Sequence, residues 1–525
     1  MSIDIQKIAV KELIKAKIKD SEDLAKIKRQ IAKKHKVPCP GNIVLLKTYH
    51  SLLKKKKIKS SPSLEFLLRT RPVRSLSGIV NVSVLTKPYP CPGKCIFCPR
   101  ESGIPKSYVS GEPAVERAKK LKYDPYLQTK KRIEMLKVNG HPTDKIELRV
   151  VGGTWSFYPK KYQNYFIKRC FDACNKRAGN NLKEAQSLNE KAIHRIVGSS
   201  VETRPDFINK LEIKRLRGLG VTMVELGVQS IYDDVLRKNR RGHGVKETIL
   251  ATKLLKNAGF KVLYQMMPNL MGSNLKKDQK IFEDLFKNAD FQPDLLKIYP
   301  CALLKESPLY KFWKNKKYKP YKERGLIDLL KEIKKKIPYY VRIQRIARDI
   351  PSQRVVTGPA KISNLRQIIE EERKKEGWRC RCIRCREVKG NYNPKEKIYL
   401  FRENYSASQG KEIFLSFENK KRTNLFSLLR LRISFLDNNF IPVLRNSAII
   451  REVHTYGQLQ PLNKRKSIVS PQHKGLGKTL IKKAEEIAKK EFNLNKIAVI
   501  SGVGAREYYR KLGYNLKDTY MVKKI

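Results

Sequence analysis

Three thiols, Cys91, Cys95 and Cys98, stand in a C-x3-C-x2-C loop directly after the apolar, β-branched run 79–85. Three cysteines can hold three irons of a [4Fe–4S] cluster and leave the fourth iron open for a small ligand. A zinc knuckle that borrows a fourth ligand, and three unrelated thiols, are the alternatives. A second triad, Cys380, Cys382 and Cys385, suits three ligands of a structural Zn2+, with Cys39, Cys301 or a histidine as candidates for the fourth. Unliganded thiols are the other reading there. Near the C-terminus, Gln472-His-Lys474-Gly475-Leu476-Gly477-Lys478 offers a different chemistry. Its glycines would bring successive backbone N–H groups onto phosphates, and a helix after them would add its N-terminal dipole.

These residues need elements to position them. Short apolar runs at 79–85, 146–151, 196–200, 223–228, 262–266 and 295–299 alternate with amphipathic segments such as 114–121, 124–138, 162–175 and 248–259. Strand and helix repeated in this way predict parallel βα units and an open, partial (βα)6-type barrel. Chemistry in such barrels sits at the C-terminal ends of strands. The cysteine loop, Gly152-Gly153, Glu202 and Gln229 all fall there. A basic helical region (1–75) precedes the barrel domain (76–370), and a cysteine-rich connector (371–390) follows it. Beyond the connector, alternating strands at 398–402, 412–417, 428–433 and 448–456, a helix over 479–490 and a strand at 497–501 predict a separate α+β domain (391–525).

The charge balance points to a polyanionic partner. There are 114 Lys and Arg against 49 Asp and Glu in 525 residues, a formal net charge of +65. Nucleic acid is the natural partner for such a chain. The sequence has no uncharged apolar run of about 18 residues, nor a signal peptide's apolar core, so a cytoplasmic protein without a membrane partner is expected. Ten cysteines then argue for metal or redox chemistry rather than a disulfide scaffold.

The cysteine spacing resembles that of the radical S-adenosylmethionine (SAM) enzymes. The glycine turn, set between a strand and a helix, resembles the pyrophosphate loop of the GNAT acetyltransferases. Together they resemble the catalytic subunit of Elongator, the elongator protein three family. The likeness runs through Lys87-Pro-Tyr-Pro-Cys91, Val151-Gly-Gly-Thr154, Glu202-Thr-Arg-Pro-Asp206, Glu225-Leu-Gly-Val-Gln-Ser230, Arg342-Ile-Gln-Arg345 and Tyr508-Tyr-Arg-Lys-Leu-Gly-Tyr514.

The resemblance implies an enzyme acting on the wobble uridine of tRNA, position 34 of the anticodon stem-loop, with SAM, acetyl-CoA and an electron donor. A SAM-derived radical would take a hydrogen from the acetyl methyl group and the carbon radical would add to C5 of uracil; oxidation and thioester hydrolysis would then give 5-carboxymethyluridine and free CoA. Cys91, Cys95 and Cys98 would hold the cluster; Gly152, Gly153, Glu202, Glu225 and Gln229 would meet SAM. Gln472, Lys474, Gly475, Leu476, Gly477 and Lys478 would hold acetyl-CoA, with Tyr508 and Tyr509 near its sulfur and Lys297 near the reacting centre. Arg342, Arg345 and Arg348 would contact phosphates, together with the basic N-terminal helices of 1–75 as a tRNA-binding region. Gln265 and Asn269 stand where relatives often carry His and Asp, so no acid–base role is carried over to them. The competing reading is a GNAT protein (histone) lysine acetyltransferase with a structural iron–sulfur domain. Monomer and homodimer are both open.

Overall fold

The computed structural model describes residues 3–16, 18–390, 392–434, 439–460, 470–472 and 474–525. Four basic helices come first: α1 (Ile3–Lys15), α2 (Ser21–Lys34), α3 (Asn42–Lys54) and α4 (Pro62–Leu68). Leu13, Leu24, Ile31, Leu46, Tyr49 and Leu68 give them an apolar core of their own. Arg69 and His141 join this unit to the barrel: Arg69 Nε donates to Gly140 O at 2.8 Å, while the imidazole lies between Ser75 Oγ (2.9 Å) and Thr70 O (3.0 Å).

Seven parallel strands follow in sequential order: β1 (Val80–Leu85), β2 (Lys145–Val151), β3 (Arg195–Thr203), β4 (Met223–Gln229), β5 (Lys261–Met266), β6 (Leu295–Ile298) and β7 (Arg342–Arg345). Sequential order with a helical crossover between neighbours is the topology of a partial barrel. Asparagine starts several of the crossover helices. The side chains of Asn181, Asn209 and Asn274 accept from the N–H groups of Glu184, Glu212 and Lys277, satisfying donors that a helix leaves free at its first turn.

The seventh strand corrects the expected six. It is four residues long and flanked by arginines, so no apolar run marks it. The helix Leu365–Glu376 also runs through the expected boundary at 370, held to the helix Glu323–Lys336 by Lys331 with Glu372 (2.8 Å) and Arg324 with Glu372 (2.7 Å).

The C-terminal sheet has the order β13-β14-β12-β11-β10-β9-β8, built from β8 (Tyr399–Ala407), β9 (Gly410–Glu418), β10 (Leu425–Ser434), β11 (Ala448–Thr455), β12 (Lys496–Val499), β13 (Asn515–Lys517) and β14 (Tyr520–Lys524). All neighbours are antiparallel except β11 and β12, which pair only from Ala448 to Ile450 and then part. The helix Leu476–Phe492 packs over β10 and β11 through Leu480, Ile481, Ala484 and Ile487.

This sheet seals the N-terminal end of the barrel. Phe260, Ile449, Ile500, Val503 and Tyr520 belong to one continuous apolar core. A side chain at Gly502 would place its Cβ 2.1 Å from Val197 O of β3, so only glycine permits that approach. At the centre, Arg451 reaches Asp294 (2.5 Å) and Glu412 (3.0 Å), Arg432 reaches Glu412 (2.9 Å), and Arg430 reaches Glu452 (2.8 Å). Among the described residues no helix is long and apolar enough to cross a membrane.

Candidate active site

Two cavities occupy opposite ends of the barrel. The upper one lies at the C-terminal strand ends. There Cys91, Cys95 and Cys98 share a wall with Gly152, Gly153, Thr154, Glu202, Gln229 and Gln265. A Cβ at Gly93 would lie 3.6 Å from both Cys91 Sγ and Cys95 Sγ. Cations surround the thiols: Arg241 Nη1 donates to Cys95 Sγ at 3.4 Å, and Lys106 bonds the carbonyl of Gly93. Arg204 Nη1, Arg241 Nε and Gln229 Oε1 are buried and have no hydrogen-bond partner. Three thiols beside the unsatisfied guanidinium donors of Arg204 and Arg241 fit an anionic, thiolate-ligated cluster.

Gly152 has φ +137°, and a Cβ there would sit 1.9 Å from Thr86 Oγ1. Only glycine allows this turn, which brings bare backbone to the wall of the cavity.

Behind the thiols the cavity continues into a space of about 450 Å3 that shares Cys98, Glu202, Gln229 and Gln265. Lys297 of β6 enters it, only 4% exposed, with its ammonium on Glu225 and 3.5 Å from Glu202 Oε1. Burial opposes the charge, but Glu225, Tyr299 and Glu202 hold Lys297 above the ordinary lysine range. Gln265 Nε2 ties Glu202 (3.1 Å) to Glu225 (3.4 Å).

Glu225 therefore departs from its expected place. It is almost wholly buried beneath Lys297 and lines neither part of the cavity, so it positions the lysine instead of touching a ligand.

The lower cavity, about 550 Å3, opens where β11 and β12 part. Gly475, Leu476, Gly477 and Lys478 form one wall. Gly475 has φ +84° and no atom within 4 Å of a would-be Cβ, leaving the start of the helix Leu476–Phe492 open to a ligand. This arrangement suits a phosphate-bearing group.

Tyr508, 43% exposed, faces Gly477, and burial of its hydroxyl raises it to about 12. Tyr509 is 6% exposed and packs with Tyr514 in the core, so of the pair Tyr508 is the one whose ring stands open.

Gln472 also departs from expectation. Its amide accepts from Lys145 Nζ (3.1 Å) and Gln460 N (3.0 Å) and donates to Gly78 O (3.2 Å) and Thr455 O (3.0 Å). It clamps the turn to the barrel and has no free donor for a phosphate. Lys474 is exposed, its ammonium 4.9 Å above the ring of Tyr392, and is not part of the cavity wall. His473 of the same turn lies outside the described residues.

The barrel's own strand starts form the roof of this lower cavity, through Lys145, Glu147, Gly198 and Lys261. Glu147 bonds Arg149 at 2.6 Å, and Arg149 lines the upper cavity. Two residues of one strand thus span the gap, about 7 Å. Burial works against the Glu147 carboxylate, yet Arg149 and Lys261 hold it down at about 2.

The sequence contains no advance signal for Glu147, Arg241 or Lys261: single charges are indistinguishable in so basic a chain. Arg204, by contrast, lies inside a segment already singled out.

The arginines expected on phosphate are engaged elsewhere. Arg342, half-buried, pairs with Glu387 at 2.7 Å, Arg348 bonds Glu112 at 2.9 Å, and Arg345 pairs with Asp349. Cys380, Cys382 and Cys385 have their Sγ atoms within 4.8 Å of one another, and Lys334 Nζ lies 3.6 Å from Cys385 Sγ. Neither Cys39, exposed, nor Cys301, buried beside Tyr318 and Leu303, joins that group.

Residues 89–285 match the Radical SAM superfamily, 293–375 a Radical_SAM C-terminal domain, and 468–514 the Acetyltransferase (GNAT) family. The chain is 44% identical to the tRNA uridine(34) acetyltransferase of Methanocaldococcus infernus, over 98% of both chains. It is 37% identical to human Elongator complex protein 3, over 98% of this chain and 95% of that one. The chain belongs to the Elongator protein 3 family. A solved family structure, the archaeal Methanocaldococcus infernus Elp3 with residues 1–46 deleted, covers 86% of this chain and all of its own length at a TM-score of 0.75 and 43% identity. As a member of this family the chain joins a radical SAM barrel to a GNAT-type domain.

Proposed function

We propose that this protein modifies uridine 34 of tRNA, bonding the acetyl methyl carbon of acetyl-CoA to C5 of the base, with one hydrogen lost from each carbon (the methyl hydrogen to a SAM-derived radical) and the thioester hydrolysed to release CoA, to give 5-carboxymethyluridine. One observation carries the reading: an open glycine turn at a helix start and a thiol-lined cavity lie at opposite ends of a single barrel, separated by the Glu147–Arg149 pair. The names of the family relatives support uridine 34 as the target.

When bound, the cluster and SAM supply one-electron chemistry able to break an unactivated C–H bond. The protein's residues do the rest. Lys297, kept charged by Glu225 and Glu202, presents a fixed positive charge to an oxygen of the base or thioester. Tyr508 keeps its proton at neutral pH and stands beside Gly477, placed to donate to a departing thiolate. Gln472 and Gly502 lock the lower cavity to the strand starts, so the acyl end is held towards the barrel axis. The Cys380, Cys382 and Cys385 group is our candidate for a structural zinc site, next to β7. A lysine acetyltransferase fits less well, because the acyl cavity is net cationic, with Lys145, Arg195, Lys261, Arg451 and Lys478 against Glu147 and Glu452, and both carboxylates already have cation partners.

The test is anaerobic incubation of the reconstituted protein with tRNA, SAM, dithionite and acetyl-CoA, followed by nucleoside mass spectrometry. Carboxymethyluridine is expected, and Cys95→Ala should abolish it while tRNA affinity stays within about twofold, since affinity comes from basic surface. Unmodified tRNA together with an acetylated lysine peptide would overturn the reading.

A further inference from the structure

We infer that Arg74, Arg117 and Arg132 form a binding site for nucleic-acid phosphodiesters at the mouth of the upper cavity, gripping the backbone beside the nucleotide that enters. The inference rests on the reading of that cavity as the place where a tRNA base reacts.

Eight cationic side chains line this space, and they divide by pairing. The inner four each have a carboxylate: Arg149 has Glu147, Lys297 has Glu225, Arg345 has Asp349 and Arg348 has Glu112. The outer four, Arg71, Arg74, Arg117 and Arg132, make no side-chain ion pair or hydrogen bond among the described residues. Every carboxylate on the cavity wall, namely Glu112, Glu202 and Asp349, is already committed to an inner cation.

Three of the outer arginines also crowd one another. Arg74 ends the turn Pro72–Arg74, Arg117 lies on the helix Pro113–Lys120, and Arg132 on the helix Pro125–Val138. Burial, and then the charges of Arg74 and Arg117, lower Arg132 to about 10. Three separate elements thus bring guanidinium groups together against their mutual repulsion. Such a cluster gains stability only when an anion with several acceptor oxygens lies between them.

The division by pairing fits one ligand. A pyrimidine base is uncharged and is read by donors and acceptors, which the internally paired interior supplies. Its flanking phosphates are anionic, and the unpaired rim meets them. The glycine turn for a CoA phosphate lies at the other end of the barrel, so the rim is not needed for that cofactor.

The experiment uses the full-length protein and an anticodon stem-loop RNA carrying a neutral methylphosphonate at the linkage 5′ or 3′ of the target uridine. Binding is measured over a range of salt concentrations for the native protein and for the triple variant R74Q/R117Q/R132Q. The variant should bind native stem-loop at least about tenfold more weakly and lower the slope of log K against log salt by about 2, the value for three single-strand contacts. The methylphosphonate should weaken the native protein but leave the triple variant unchanged. R74K/R117K/R132K should keep the native slope, which separates lost charge from lost folding.

Additive effects of the methylphosphonates and the glutamine substitutions, or an unchanged slope, would overturn the phosphate site. A 4-thiouridine placed at the target position reports on the underlying reading. Cross-linking near Lys297 or Tyr299 upholds that reading even if the rim fails, whereas cross-linking elsewhere removes both.

Discussion

At the lower end of the barrel Arg430, Arg432 and Arg451 are almost wholly buried, and each lies on a carboxylate: Glu452, Glu412 or Asp294. At the upper mouth Arg74, Arg117 and Arg132 lie near one another with no carboxylate bonded to them. Removing a guanidinium from water is tolerable only where partners replace the lost hydration. The lower arginines meet that condition within the chain and act as structural joints between the domains. The upper ones meet it with solvent until an external anion arrives. In a chain this basic, arginine count says little about function, and the pairing state of each arginine says much more.

Breaking the lower joint should have the largest effect. Arg451→Met leaves Asp294 and Glu412 short of their best partner in a dry interface, and a loss of about 3–5 kcal/mol is expected. Denaturant unfolding would measure it, and a change below about 1 kcal/mol would erase the contrast between the two ends.

His141 gives an intermediate case. It is 2% exposed, and burial followed by the charge of Arg69 lowers it to about 4. An imidazole held neutral in the folded state adds stability that is complete above its unfolded value of about 6.5 and is lost as pH falls towards 4. The loss by pH 4 should be about 2–3 kcal/mol, seen as a falling thermal midpoint. His141→Gln should flatten that part of the profile; an equally steep decline in the variant would assign the effect to other groups.

The smallest effect tests redundancy within the joint. Lys256 approaches Asp294 and Glu412 at 3.5 and 3.7 Å, but Arg451 and Arg432 already hold these acids. Lys256→Met should change stability by no more than about 1 kcal/mol in either direction. A loss as large as that of Arg451→Met would show that every cation in the cluster is indispensable.

Much of the upper site was legible because strand ends in a βα barrel predict where side chains converge. The cysteine loop, Gly152, Gly153, Glu202 and Gln229 all reach one cavity. What could not be read was pairing at long range. Arg342 meets Glu387, 45 positions away, and Gln472 meets Gly78, 394 away; both side chains look free in the sequence. Glu225 and Gln229 carry similar polarity on one strand, yet only Gln229 reaches the cavity wall, because Lys297 covers Glu225. The strand β7 has no signature in the sequence because its buried residues, Ile343 and Gln344, form no apolar run.

The Asp294–Arg451 bond spans 157 residues and sets a schedule for synthesis. At ribosomal rates of about 5–20 residues per second, the barrel waits roughly 8–30 s after Asp294 emerges before its partner follows. During that interval the N-terminal end of the barrel is uncovered, with an unmatched acid beside apolar residues such as Phe260 that the second sheet will later bury. The nascent chain is thus exposed to misassociation at the joint that Arg451 later closes, which makes this stretch of translation a natural point for a chaperone to attend.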